Sequence, residues 1–255
     1  MDVLLTNDDG YESPGLRSLE RGLSEIANVT VVAPMEDQSG CGRLVNERVD
    51  IEDIPGGYAV SGTPVDCVIV GFEALDLSPD VVVSGCNIGG NLGRYVLGRS
   101  GTVSAAAEAT FFDCPAIATS LYVPDDVWPL HGTREDFLPT VEATTFLLQN
   151  LDRIEWFTQG GYLNVNAPLE TTDDTGLRMT RPTDHYAMTA TRDGDGAVLD
   201  DVVWAKMAES PVTESVETDR GAVRNGHISI SPLQVPTGVN PAHNLGDILS
   251  EYQSR

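Results

Sequence analysis

The chain has 255 residues, of which 41% are hydrophobic, enough to bury a substantial core and to exclude a disordered chain. Asp and Glu number 39 against 15 Lys and Arg, a net charge of −24 that repels phosphate backbone and excludes duplex nucleic acid as a partner. No apolar run reaches the roughly 18 residues a membrane-spanning helix needs, so no membrane role is expected.

The first predicted element is a short apolar strand, Val3 to Leu5. It breaks into Asn7-Asp8-Asp9-Gly10, and a helix follows from Pro14 with Leu16, Leu19, Leu23 and Ile26 on one face. Val29 to Val32 is a second strand, and the strand-helix-strand unit predicts parallel pairing. The polar loop from Pro34 to Arg43, with Gln38-Ser39-Gly40, then leaves the same end of the sheet as Asp8-Asp9. Arg48 to Ile51 and Tyr58 to Val60 are expected to form a hairpin arm. Thr63 caps a helix that begins at Pro64 and ends near Leu75. Asp80 to Val83 is a third parallel strand, opening at Ser84 into a loop with four glycines and two asparagines, through Gly93. Ser100-Gly101-Thr102 precedes an alanine-rich helix, Val103 to Phe111, and Pro115 to Thr119 is a fourth apolar strand. Repeated strand and helix, with the long loops on one side, predict a doubly wound α/β fold.

Later elements are a loop from Val123 to Thr133, a helix from Arg134 to Gln149 and a strand from Tyr162 to Val165. Arg178 to Arg181 and Tyr186 to Thr191 are expected to pair antiparallel, with turns at Thr172 to Thr175 and Asp193 to Asp195. Val202 to Val216 reads as an extended arm, Gly226 to Ser231 as a strand, and Asn244 to Gln253 as a short helix. The whole, 1–255, is read as one domain with a core of roughly 1–170 plus 226–233 and a long elaboration within 171–255. No secretory leader precedes the first strand, and a cytoplasmic location is expected. Acidic residues run from Asp2 to Glu251 and Lys206 is the sole lysine. Dispersed carboxylates of this kind predict a protein adapted to concentrated salt, from a halophilic source. Cys41, Cys67, Cys86 and Cys114 show no C-x-x-C spacing, so neither zinc nor disulfides are expected, and Cys67 and Cys114 read as buried thiols.

The chemistry is expected where three loops meet at one sheet edge: Asp8 and Asp9, Ser39, and Asn87 with its glycines. Adjacent carboxylates repel each other unless a cation neutralises them; the competing reading makes Asp8 and Asp9 turn and cap residues. A donor set of two carboxylates, a hydroxyl and an amide suits Mg²⁺ or Mn²⁺, with Ca²⁺ as a substitute, and not zinc or copper. Ser100-Gly101-Thr102, at a helix start, offers an anion cradle; the bland alternative is an ordinary cap. A hard cation beside a phosphate cradle is the equipment of phosphoryl transfer. No Walker sequence is present, which excludes a P-loop NTPase.

The motifs from Leu4 to Tyr11, Val32-Ala33-Pro34 with Gln38-Ser39-Gly40, Ser61 to Val68, Pro79 to Gly85, Asn87 to Gly93 and Ser100 to Val103 occur in one order. In that order they resemble the SurE family of nucleotidases over most of the chain. Thr218-Asp219 and Ile228 to Leu233 look like that family's closing helix and strand. The resemblance implies a Rossmann-like core with an extended β-arm and C-terminal segment that build a homodimer or homotetramer. It also implies a divalent-metal phosphatase acting on nucleoside monophosphates, with 3′-nucleotidase and exopolyphosphatase activity in some members. Carried over by residue, Asp8, Asp9, Ser39 and Asn87 would hold the metal. Asp8 and Asp9 are the catalytic candidates, and Asn91, Ser100, Gly101 and Thr102 the phosphate-binding ones. One stretch, Arg94 to Arg99, departs from the family pattern, which leaves base preference and a local dimer contact open. Arg94 and Arg99 are candidate cations near the phosphate, although a surface arginine is the favoured reading of each. The alternatives are a receiver-like module and a nucleotide-binding protein without hydrolysis. A receiver would require a phosphoacceptor Asp after the third strand, where Ser84-Gly85 stands.

Overall fold

The computed structural model describes residues 1–124, 126–202 and 214–235. Nine strands form one sheet in the order β3-β4-β2-β1-β5-β6-β7-β11-β8. The strands are β1 (Asp2–Thr6), β2 (Asn28–Pro34), β3 (Ile51–Ile54), β4 (Gly57–Val60), β5 (Val81–Ile88), β6 (Ala116–Tyr122), β7 (Gly161–Pro168), β8 (Leu177–Met179) and β11 (Ile228–Gln234). A separate hairpin pairs β9 (Met188–Asp193) with β10 (Gly196–Asp201). The helices are α1 (Pro14–Leu23), α2 (Pro64–Ile69), α3 (Arg94–Leu97), α4 (Gly101–Ala109), α5 (Leu138–Gln149) and α6 (Asp219–Arg224). All neighbouring strands from β4 through β7 are parallel, so the expected doubly wound α/β sheet is present.

The period of a strand divides the core in two. Val3 and Leu5 face one layer with Leu16, Leu19, Leu23, Phe137 and Leu147 of the α1 and α5 side. Leu4, between them, faces the other layer with Val68 of α2 and Ala105, Ala106 and Ala109 of α4. Val81 and Val83 divide from Val82 in the same way. Each leucine so buried contributes about 1.5–3 kcal/mol. Small side chains let α4 lie close: Gly101 to Ala107 are all buried.

Helix α1 begins where Ser13 Oγ accepts from Leu16 N–H, and Pro14 takes the first helical position. It approaches β5 so closely that a Cβ on Gly15 would stand 2.0 Å from Cys86 O. Sheet order turns outward in both directions from the boundary between β1 and β5, which makes that boundary the topological switch point.

Several expectations need correction. The expected hairpin is present as β3 antiparallel to β4, but its first strand is Ile51–Ile54 and not Arg48 to Ile51, and β4 also pairs parallel with β2, which carries the hairpin into the sheet. Strand β5 does not end at Val83; it runs to Ile88 past an irregularity between Ser84 and Asn87, since β6 supplies pairing on both sides of that irregularity. The helix from Pro64 holds α-geometry only to Ile69 and widens over Val70–Ala74, where Leu75 N–H reaches back to Val70 O. Arg178 to Arg181 and Tyr186 to Thr191 do not pair: β8 lies parallel to β11, and β9 pairs with β10. The arm at Val202 to Val216 falls largely, and the helix at Asn244 to Gln253 wholly, outside the described residues. All four cysteines are free, and Cys67, Cys86 and Cys114 are buried. Among the described residues no helix is long and apolar enough to cross a membrane.

Candidate active site

The turn after β1 is built by Asn7, which is fully buried. Its Nδ2 donates to Gly10 O at 2.9 Å and to Ser13 Oγ at 2.7 Å, tying the strand end to the cap of α1. Gly10 has φ +93°, a conformation that glycine adopts without strain, and its Cβ position lies 3.4 Å from the Glu36 backbone. Gln38 N–H donates to Asp8 O at 2.7 Å, which brings the loop carrying Ser39 against the Asp8 turn.

Asp8 is 4% exposed. Its Oδ1 accepts from Thr102 Oγ1 at 2.5 Å and its Oδ2 from Thr102 N–H at 3.1 Å. A Cβ on Gly101 would stand 2.9 Å from the Asp8 Cβ, so the start of α4 closes on this carboxylate because residue 101 has no side chain. Asp9 Oδ2 accepts from Ile88 N–H at 3.3 Å, linking the acidic turn to the end of β5 beside Asn87. Asn87 Nδ2 donates to Gly89 O at 2.5 Å, and exposed Ser39 donates its N–H to Asp37 Oδ1 at 2.7 Å. The turns carrying Asp8, Asp9, Ser39 and Asn87 are thus tied together by hydrogen bonds.

The electrostatics of this corner are one-sided. Burial raises the Asp8 carboxyl above its usual range, against the Thr102 hydrogen bonds, and Asp37 adds to the rise. Burial and then the Asp8 charge push Asp9 up to about 7, with Asp37 adding and the Ile88 bond opposing. Among the described residues, none of the ion pairs within 4.0 Å involves Asp8 or Asp9. Asn7 Oδ1 is also buried without a partner there. Buried Asp8, half-buried Asp9 and a third carboxylate nearby, with no ion-pair partner for Asp8 or Asp9 among the described residues, fit a hard cation. No three His, Cys, Asp or Glu side chains among the described residues are grouped to hold a metal, so neutral oxygens would have to complete such a site. Cys41, whose Sγ lies 3.0 Å from the Gly101 Cβ position, has its thiol pushed up to about 11, mainly by burial and then by Asp8. A thiol kept protonated is a poor metal ligand.

The anion cradle differs from expectation at Thr102. Both Thr102 donors are engaged by Asp8, so Thr102 holds a carboxylate in place instead of offering those donors to phosphate. Ser100 Oγ accepts from Val103 N–H at 3.1 Å and caps α4. Asn91 is 6% exposed and held from three sides. Its Nδ2 donates to Ser120 Oγ, its N–H donates to Asn166 Oδ1, and its carbonyl accepts from Asn164 and Asn166. Asn164 and Asn166 escaped the sequence reading; the available signal was two asparagines at i and i+2 in an apolar strand, hence on one face. Asp219 escaped it too as a contributor to this corner. Fully buried, it accepts from Gly93 N–H at 2.7 Å and Thr183 N–H at 3.0 Å, pinning the far end of the glycine loop. Arg94 is paired with Asp184 at 2.9 Å and Arg99 lies 5.4 Å from the Tyr95 ring centroid.

The family model described as "Survival protein SurE" matches residues 3–189. The 5′-nucleotidase SurE of Natronomonas pharaonis is 46% identical over 257 residues, covering 99% of this chain and 100% of that protein. The 5′-nucleotidase SurE of Halobacterium salinarum is 47% identical over 252 residues, 98% of each chain. The 5′/3′-nucleotidase SurE of Cronobacter sakazakii is 34% identical over 260 residues, covering 100% of this chain and 97% of that protein. The crystal structure of SurE from Aquifex aeolicus superposes with a TM-score of 0.76 at 28% identity over the full length of both chains.

Proposed function

The chain belongs to the survival protein SurE family, and from that membership we infer that it is a 5′-nucleotidase, a phosphoric monoester hydrolase acting on nucleoside monophosphates. The family is generally dependent on a divalent metal. We read Asp8, Asp9, Ser39 and Asn87 as the residues that would hold the cation, Mg²⁺ or Mn²⁺. The observation that supports this most directly is the pair of buried Asp8 and half-buried Asp9, neither of which has an ion-pair partner within 4.0 Å among the described residues. A divalent cation supplies neutralisation of the phosphoryl charge when bound.

The chain's own residues would do the rest. Thr102 holds both Asp8 oxygens, so Asp8 keeps one orientation. Among the described residues Asp9 Oδ2 accepts the 3.3 Å bond from Ile88 N–H, and its other oxygen is our candidate acceptor for the proton of the attacking water. Ser100, Gly101 and Asn91 remain the candidate phosphate contacts. The finer properties are also proposals. Activity on 3′-nucleotides is supported by the name of the Cronobacter relative. A homodimer or homotetramer is supported by the exposed β9–β10 hairpin, since a lone two-stranded ribbon is marginal in water. A cytoplasmic, salt-adapted enzyme fits the net charge of −24 and relatives from halophilic archaea.

The test is phosphate release from AMP in concentrated KCl with Mn²⁺, which a chelator should abolish. Asp8→Asn should lower kcat/KM about 100-fold. Unchanged turnover in that variant would overturn the site assignment, and no release by the unaltered protein would overturn the nucleotidase reading.

A further inference from the structure

Trp128 is the exposed aromatic side chain that stands beside the glycine loop of the site. The residue is 55% exposed, on the stretch between β6 and α5. The indole Cζ3 lies 3.9 Å from the Cβ position of Gly89, and Asn87 Nδ2 lies 3.7 Å from that same position. The indole edge and the candidate ligand Asn87 therefore flank one residue that has no side chain to separate them. Gly89 is fixed there, because its N–H donates to Leu121 O at 2.9 Å and its carbonyl accepts from Asn87. A second ring supports the same loop: Tyr122 Cδ2 lies 3.3 Å from the Cβ position of Gly90. Two hydrogen bonds hold the Trp128 backbone, since Val127 N–H and Trp128 N–H both donate to Pro124 O, at 3.0 and 3.2 Å.

A flat apolar ring left in water costs free energy, and a partner with its own π-face recovers it. The substrate provides one. Once its phosphate is beside Asn87 and the acidic turn, its base lies about one ribose away, and the Trp128 edge, 3.9 Å from the same Gly89 Cβ position that lies 3.7 Å from Asn87 Nδ2, is within that reach. The chain's negative charge disfavours an acidic partner for this ring and does not hinder a neutral base.

We propose that Trp128 is the nucleobase platform of this site, stacking on the base of the nucleoside monophosphate and favouring the larger purine face over the pyrimidine. The proposal rests on the nucleotidase reading above. Base–aromatic stacking is worth about 1–3 kcal/mol, a factor of roughly 5–150 in kcat/KM.

The experiment measures kcat/KM for AMP, CMP and ribose 5-phosphate in the full-length protein, Trp128→Ala and Trp128→Phe, with Mn²⁺ in concentrated KCl. The expected result is a fall of about 5- to 150-fold in the AMP to ribose 5-phosphate ratio in Trp128→Ala, a smaller fall for CMP, and recovery of most of the ratio in Trp128→Phe. AMP, and not ribose 5-phosphate, should also quench tryptophan fluorescence in the unaltered protein, and Trp128→Phe should lose that quench. An unchanged ratio would overturn the proposal, as would equal losses on all three substrates, which would mark the residue as a prop for its loop. Failure of the unaltered protein to hydrolyse any of the three would instead strike the nucleotidase reading.

Discussion

Asp9 is costly to keep ionised in the absence of a cation. An unfolded Asp carboxyl ionises near 3.8, whereas the folded one is pushed up to about 7 by burial and by Asp8. Between those values the folded chain holds the proton that the unfolded chain has released, so stability falls as pH rises through that window and stays low above it. Each unit of the difference corresponds to about 1.4 kcal/mol. In chelator, Asp9→Asn should therefore melt at a higher temperature than the unaltered protein at pH 8 and show a shallower loss between pH 4 and 7. Adding Mn²⁺ should raise the melting temperature of the unaltered protein and not of the variant, because a ligand stabilises only the state that binds it. Identical pH profiles would mean that Asp9 is not strained. At this scale the adjacent carboxylates and the loops carrying Ser39 and Asn87 were legible, and the bonds Gln38 N–H to Asp8 O and Ile88 N–H to Asp9 Oδ2 bring those turns together. The Thr102 clamp was not, because a residue 94 positions away meets Asp8 only after α4 is seated.

The elements were legible where one periodicity dominates. Strands β1, β2 and β6 and helix α1 announce themselves by apolar runs or by a leucine face. Legibility failed where pairing decides. The stretch Ser84 to Ile88 carries glycine and asparagine and looks like loop, yet β6 holds it as strand through Asn87↔Ser120 and Ile88↔Leu121. In the same way β8 chose β11 over the nearer β9, because register with β11 extends an existing sheet. The contact between α1 and β5 can be tested at one atom. Gly15→Ala would place a methyl 2.0 Å from Cys86 O, so the helix must move off the strand. Thermal unfolding should show a loss of about 1–3 kcal/mol, the usual cost of overpacking. No loss would show that α1 can shift freely.

For the molecule as a whole, a net charge of −24 opposes compaction until salt screens it. Few of those charges are neutralised locally: the described ion pairs are six, and Arg48–Asp50 and Arg94–Asp184 are largely exposed and worth little. Melting temperature should therefore fall on dilution from molar to tenth-molar KCl, and equal values at both would remove the case for salt adaptation. Composition and the ordered motifs were sufficient by themselves to establish the family and the fold class, because these depend on local pattern and on which residue types are present. Tertiary structure alone decided that Thr102 clamps Asp8, that Asn164 and Asn166 hold Asn91, that Asp219 pins Gly93 and that Trp128 stands beside Gly89. Those contacts join segments far apart in the chain, and the distance between such segments is set by packing of the sheet and helices, which no local pattern encodes.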